Sequence, residues 1–145
     1  QAKQLGLNMP LFGGDGWESE DLVKIGKEAV EGNYFSTHYH PDVSSARSKA
    51  FVESYKKRFK NMDESPKSPD AMAALGYDSA LILADAIKRA GSTEGAKVRD
   101  ALAATKDFEG VTGRTIINEK RDATKPAVIL QVKDGAFKYI ETISP

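Results

Sequence analysis

Cysteine is absent from this sequence of 145 residues, and histidine occurs only twice. Without cysteine the chain cannot form disulfides, bind a metal through thiolates or use a cysteine nucleophile. The absence is compatible with any cellular compartment, so it does not identify one.

The sequence also has no excess of charge of one sign. The 21 basic residues balance 21 acidic residues, and the two kinds are interspersed as on an ordinary solvated surface. Nucleic-acid-binding proteins normally carry a basic stripe. We therefore expect no nucleic-acid partner.

Long hydrophobic runs are missing as well. No apolar segment approaches the roughly 20 residues of a membrane-spanning helix, and we expect no signal peptide within these residues. The sequence therefore predicts a chain that is cytoplasmic or has lost a targeting segment. Hydrophobic residues make up 40% and charged residues 29% of the sequence, which is typical of a globular domain.

The first 40 residues predict a strand–helix–strand unit. "MPLFGG" is a short strand ended by glycines, and "NYFSTHY" is rich in β-forming residues. Between them, Ser19 is placed to cap a helix that Gly32 ends. Two strands joined through a helix by short connections favour a parallel sheet and the α/β class.

The segment before this unit, "QAKQLGLNMP", resembles the last turn of a helix that ends at Gly6. Such a helix has no visible beginning in the sequence. We therefore expect the chain to be a piece of something longer.

Three helical patterns and a hairpin follow. Ser44 or Ser45 can cap the first helix, the longest pattern runs over Asp70–Ala90, and a third helix covers about 94–104. Two apolar strands around Asp134–Gly135 predict a C-terminal β-hairpin.

The polar residues of the longest helical pattern form one narrow stripe. Asp78, Asp85 and Arg89 are spaced so that they share a face. We therefore expect most of the circumference of this helix to be buried.

The segment "HYHPD" is the sharpest enzymatic candidate. His38, His40 and Asp42 form an H-x-H-x-D pattern that resembles the opening of the metallo-β-lactamase-like hydrolase signature. That signature continues with a histidine where this chain has Val43, and it needs further histidines downstream. We therefore reject the hydrolase, and since no G-x-S-x-G motif is present either, we expect no catalytic residues, no metal site, no cofactor and no enzyme.

Asp15 stands on an unusually glycine-rich turn, "GGDGW". It can close the turn onto backbone N–H groups. A phosphate cradle is less consistent, because the lysine and spacing of a P-loop are missing. The third interpretation places Asp15 beyond the carboxyl end of a parallel strand, where α/β sheets bind ligands and where a carboxylate suits an ammonium group.

Five blocks in order resemble the C-terminal portion of the periplasmic branched-chain amino-acid (Leu/Ile/Val) binding proteins, the type I solute-binding proteins of ABC transporters. The resemblance covers essentially the whole chain. The blocks are "QAKQLGLNMPLFGGDGW", "AVEGNYFSTHYHPD", "AALGYDSALILADAIKRAGS", "RDALAATKDFEGVTG" and "KPAVILQVKDGAF".

This resemblance implies a truncated half of a protein with two flavodoxin-like three-layer lobes that close on an amino acid. Residues 1–38 and 117–145 would belong to the second lobe and residues 39–116 to the helical part of the first, with crossings near 39–42 and 113–118. It also implies a membrane ABC permease as partner and a periplasmic or extracellular location, with a lipid anchor in Gram-positive relatives.

The resemblance implies four ligand-binding residues. Asp15 stands where an acidic residue of the family receives the α-ammonium of the ligand. Trp17 is close enough to line the pocket, although a role in capping or the core is equally consistent. Met72 matches a position that contacts the ligand side chain in some members, and Tyr77 lies in a well-matched block where core packing is the favoured role.

Two alternatives stay open. The chain can be a sensor domain of the same fold, which flanking sequence would reveal. It can also be a truncated or engineered half-protein without retained binding, in which two copies pair as a homodimer to cover exposed lobe surface.

Overall fold

The chain runs in the order strand, helix, strand, three helices and five strands. The computed structural model describes residues 1–43 and 45–145. The strands and helices are β1 (Phe12–Gly13), α1 (Glu20–Gly26), β2 (Tyr34–Thr37), α2 (Ala46–Arg58), α3 (Ala71–Ala90), α4 (Gly95–Ala103), β3 (Phe108–Gly110), β4 (Gly113–Ile117), β5 (Ala123–Thr124), β6 (Ala127–Lys133) and β7 (Ala136–Ile143).

The structure divides into two units. The first contains residues 1–38 and 127–143, and the second contains residues 39–126 and 144–145. Residues 117–126 lie with the second unit because β4 pairs with β5. The two units are divided along the chain at His38–Tyr39 and at Pro126–Ala127, and the assignment of residues to two lobes, with crossings near 39–42 and 113–118, stays a proposal.

The first unit is built on a mixed sheet in the order β1-β2-β6-β7. β1 and β2 are parallel and are joined through α1, which confirms the strand–helix–strand prediction. Ser19 caps α1 as expected, with its hydroxyl accepting a hydrogen bond from the Asp21 N–H at 3.2 Å. The α/β class is confirmed, although only the first strand pair of this sheet is parallel.

The predicted C-terminal hairpin is also confirmed. β6 and β7 are antiparallel, and the two residues between them both have positive φ, 54° at Asp134 and 69° at Gly135. This is the backbone that a two-residue type I′ turn requires, and Asp-Gly supplies it at low cost. Phe35 of β2 and Phe137 of β7 pack edge to face at 5.0 Å, which anchors the hairpin to the sheet.

Residues 1–7 form a helix end. The Leu7 N–H bonds the Ala2 carbonyl and the Gly6 N–H bonds the Lys3 carbonyl, at 3.0 and 3.1 Å. Gly6 has φ of 78°. This is the Schellman arrangement, in which a glycine in the left-handed region ends a helix, and it confirms the role predicted for Gly6.

The core of the second unit lies around two aromatic residues. Tyr39 and Phe51 are buried together with small residues of α3 and with Val111. The Tyr39 hydroxyl and the Ser48 hydroxyl are 2.8 Å apart. Burial raises the pKa of the Tyr39 phenol above its ordinary 10.0, and this hydrogen bond offsets part of the effect.

The helices of the second unit begin where the sequence predicts. Ser45 caps α2 by accepting a hydrogen bond from the Ser48 N–H at 3.0 Å, and Ser44 lies outside the described residues. Asp70 caps α3 in the same way, through the Ala73 N–H at 2.8 Å. Gly91 ends α3 with φ of 59°.

One expectation about α3 is wrong. Its buried residues are the polar Asp78 and three alanines, Ala71, Ala74 and Ala86, whereas Met72, Tyr77 and Leu83 are exposed. Asp78 is inside because its carboxylate accepts hydrogen bonds from Val111 and Thr112. The helix therefore packs through its small residues and one carboxylate, and most of its circumference is not buried.

Candidate functional site

The turn that carries Asp15 follows directly after β1. Residues 14–18, which we call the Asp15 turn, contain one turn of 3₁₀-helix over Asp15–Trp17. The Trp17 N–H bonds the Gly14 carbonyl and the Glu18 N–H bonds the Asp15 carbonyl, each at 3.0 Å. The turn is thus held by its own backbone, and the carboxylate of Asp15 is not needed to close it.

Asp15 lies beyond the carboxyl end of a strand in a parallel pair. β1 ends at Gly13 and pairs with Phe35 of β2 at that position. The Asp15 side chain is 53% exposed. A ligand could therefore reach its carboxylate at the edge where α/β sheets bind small molecules.

Trp17 packs against the end of β1. A Cβ atom added at Gly13 would overlap the indole ring, whereas the neighbouring Gly14 has open space at the same point. The glycine at position 13 is therefore required by the close approach of the indole. Trp17 also lines an apolar hollow with residues of α1, among them Leu22 and Ile25.

The end of β2 contacts the Asp15 turn through two consecutive side chains. The buried Thr37 hydroxyl donates a hydrogen bond to the Glu18 carboxylate. His38 Nε2 lies 3.3 Å from Asp15 Oδ2. Each of the two carboxylates of the turn, Asp15 and Glu18, therefore contacts a side chain at the end of β2.

His40 has a different environment from His38. Its side chain is only 16% exposed, and its Nδ1 accepts a hydrogen bond from the Asp42 N–H at 3.3 Å. Burial lowers the pKa of His40 below its ordinary 6.5, and the nearby Asp42 carboxylate offsets part of this effect. A nitrogen that accepts an N–H carries no proton, so the geometry and the pKa direction both describe a neutral imidazole.

The other two predicted site residues lie on α3, in the second unit. The Met72 side chain is 61% exposed. Tyr77 is 45% exposed, and its ring packs on Phe51 with centroids 4.8 Å apart. The structure thus groups Asp15 with Trp17 on one turn, and it places Met72 and Tyr77 together on one helix.

The described residues contain no group of three or more acidic, histidine or cysteine side chains that could hold a metal ion. His38 and His40 each lie beside a different carboxylate, Asp15 and Asp42. Among those same residues, no helix has the length and apolar character needed to span a membrane.

Sequence reasoning missed the contacts of Thr37, His38 and Glu18. The "HYHPD" pattern resembled a metal site, whereas in the structure His38 lies beside Asp15. The position of His38 at the end of the second strand of a parallel pair was the available signal, because the carboxyl ends of such strands meet at one edge.

Comparison with known proteins identifies the family. The profile of the family described as "Periplasmic binding protein" matches residues 1–136. The chain belongs to this family. Membership in a family of binding proteins agrees with the expectation that the chain is not an enzyme.

Two solved structures cover the whole chain. LivK, a leucine-binding protein from Thermotoga maritima, shares 42% identity with it at a TM-score of 0.86, and the match covers 100% of this chain and 40% of LivK. LivJ from Streptococcus pneumoniae, a branched-chain amino acid transporter substrate-binding protein solved with isoleucine, shares 34% identity at a TM-score of 0.78, with coverage of 100% and 40%.

A curated relative supports the same family assignment. The Leu/Ile/Val-binding protein homolog 1 of Brucella abortus is 30% identical over 148 residues, which cover 97% of this chain and 37% of the relative. The chain therefore spans about two fifths of the length of the proteins that it matches.

Proposed function

We propose that this chain is part of the substrate-binding component of an ABC importer and binds a branched-chain or similar small amino acid. The family match supports a binding role. The relatives named above are leucine-binding, isoleucine-bound or Leu/Ile/Val-binding proteins. A membrane permease is the partner that such a component requires, and the periplasm or cell exterior is its place of work.

The placement of Asp15 carries the proposal for the site. Its half-exposed carboxylate lies at the carboxyl end of a parallel strand pair, on a turn whose backbone is already satisfied. Besides its contact with His38, this carboxylate has further lone pairs that can accept charge-assisted hydrogen bonds from the α-ammonium of the ligand. Gly14 and Gly16, which have open space at their Cα atoms, allow the ligand to approach the backbone.

The remaining predicted residues supply apolar surface in this proposal. Trp17 is held on the Asp15 turn by its packing on Gly13 and fixes the shape of the turn. Met72 offers an exposed thioether to an aliphatic side chain, and methionine adapts to ligands of different shape. Tyr77 contributes through its contact with Phe51.

Calorimetric titration of the 145-residue chain with leucine, isoleucine, valine and alanine tests the proposal. We expect saturable binding that Asp15→Ala abolishes. Asp21→Ala is a matched control, because Asp21 is an exposed carboxylate of the same unit, and it should bind as the unaltered chain does. Absence of heat for every amino acid would contradict the proposal and favour a folded half-protein without binding.

A further inference from the structure

The Asp15 turn lies in a stretch that is rich in glycine, with glycines at positions 13, 14 and 16. Glycine populates more backbone conformations than any other residue. Two backbone hydrogen bonds close the turn, whereas its orientation on the sheet depends on contacts with other elements. Two side chains of the turn supply such contacts: Trp17 packs on Gly13 of β1, and Glu18 accepts a hydrogen bond from Thr37 of β2.

The contact between Thr37 and Glu18 has a rigid, dry support. Thr37 is 2% exposed, and its hydroxyl donates to the Glu18 carboxylate. At the same position β2 is paired with Val128 of β6. A hydrogen bond to a carboxylate is stronger than one between neutral groups, and more so away from water. The hydroxyl therefore fixes one point of the turn to the end of the sheet.

We propose that Thr37 is a positioning residue for the ammonium site, and that it holds Asp15 in place through Glu18. This inference rests on the proposed function of Asp15. The Glu18 N–H donates to the Asp15 carbonyl at 3.0 Å, so two successive hydrogen bonds lead from the strand to the backbone of Asp15. Without the first of them the turn is less ordered, and a ligand that fixes it must overcome that entropy.

The effect is confined to the part of the binding energy that depends on the ammonium group, since Thr37 acts on Asp15. Thr37→Val removes the hydroxyl and keeps the branched shape of the side chain. In calorimetric titration we expect it to weaken leucine binding about two- to tenfold. Binding of 4-methylpentanoate, the leucine analogue without the ammonium group, should change less. Equal losses for the two ligands would contradict a role at the ammonium site.

Two further threonine variants separate positioning from a loss of stability. Thr37→Ser keeps the hydroxyl and should bind leucine within about twofold of the unaltered chain. Thr112→Val is the matched control in the second unit, because Thr112 is also buried and also donates its hydroxyl to a carboxylate, that of Asp78, at 2.7 Å. We expect this variant to lose stability and to keep its preference for leucine over 4-methylpentanoate.

A double-mutant cycle tests whether Thr37 acts through Glu18. Glu18→Ala should weaken leucine binding as Thr37→Val does, and Thr37→Val should have no further effect in the Glu18→Ala background. The cycle counts only the part of the effect that depends on both side chains, whatever else each of them contacts. An effect of Thr37→Val that is equally large in both backgrounds would overturn the inference.

The outcomes distinguish this inference from the function on which it rests. If Asp15→Ala abolishes leucine binding but Thr37→Val binds as the unaltered chain does, Thr37 is not a positioning residue and the ammonium site stands. If Asp15→Ala binds normally, the ammonium site itself is wrong, and the inference fails with it.

A ligand-free measurement checks the contact directly. Trp17, the single tryptophan, lies between Asp15 and Glu18 in the turn, so quenching of its fluorescence by acrylamide reports how firmly the turn is held. Thr37→Val should increase the quenching, whereas Thr37→Ser and Thr112→Val should leave it unchanged. Quenching of Thr37→Val equal to that of the unaltered chain would show that the hydroxyl does not hold the turn.

Discussion

Asp78 and Thr112, 34 residues apart in the chain, are joined by two hydrogen bonds. Asp78 Oδ2 accepts from the Thr112 backbone N–H at 2.9 Å and from its hydroxyl at 2.7 Å. Asp78 Oδ1 accepts from the Val111 N–H at 2.8 Å. One buried carboxylate of α3 thus accepts hydrogen bonds from the backbone N–H groups of the turn between β3 and β4.

Removal of this carboxylate should strongly destabilise the chain. Asp78→Ala leaves buried N–H groups without acceptors, and we expect the free energy of unfolding to fall by about 3 kcal/mol. Asp85→Ala is the control, since its ion pair with Arg89 at 2.7 Å is partly exposed and should cost about 1 kcal/mol or less. Urea denaturation measures both, and equal losses would contradict the role given to Asp78.

The same carboxylate makes Gly110 sensitive to substitution. A Cβ atom at Gly110 would overlap Asp78, whereas Gly76 on α3 has open space. We expect Gly110→Ala to destabilise the chain by about 1–3 kcal/mol, as overpacking does. Gly76→Ala should stabilise it by about 0.5–1 kcal/mol, because alanine favours a helix interior. Unchanged stability of Gly110→Ala in thermal or urea denaturation would show that the contact is looser than described.

Trp17 gives an optical test of the Asp15 turn. It is the single tryptophan of the chain, so its fluorescence reports this turn alone. Gly13→Ala should displace the indole from β1 and shift its emission to longer wavelength, because the ring then meets more water. Gly14→Ala, next to it but without a clash, should leave the emission wavelength unchanged. The prediction fails if both variants keep the spectrum of the unaltered chain.

His40 should make the chain sensitive to mild acid. Burial lowers its pKa in the folded state below 6.5, so the unfolded chain binds the proton first as the pH falls. The free energy of unfolding therefore decreases as the pH drops through about 6.5 toward the lowered value. His40→Gln should flatten this dependence in urea denaturation between pH 7.5 and pH 5, and a slope equal to that of the unaltered chain would exclude His40 as its source.

Local signals explain how much of the fold could be predicted from sequence. Gly6, Ser19 and Ser45 act on backbone groups within a few residues, and Asp134–Gly135 determines its turn through its own φ angles. Each of these features was predicted correctly. They need no knowledge of distant parts of the chain.

The missed features depend on contacts between distant residues. Asp78 looks like part of a solvated stripe until the turn at Val111 and Thr112 is brought against it. Similarly, the contact of His38 with Asp15 exists only after β1 and β2 pair. Spacing along one helix or strand does not reveal such partners.

The most direct test of the central claim removes the ammonium group from the ligand and the carboxylate from the protein in turn. Leucine and 4-methylpentanoate, which lacks the ammonium, are titrated into the unaltered chain and into Asp15→Asn. We predict that the unaltered chain prefers leucine by about tenfold or more, as expected for a charge-assisted hydrogen bond, and that Asp15→Asn loses most of this preference. An equal preference in the two proteins, or no binding of leucine by the unaltered chain, would contradict the assignment of Asp15 as the ammonium site.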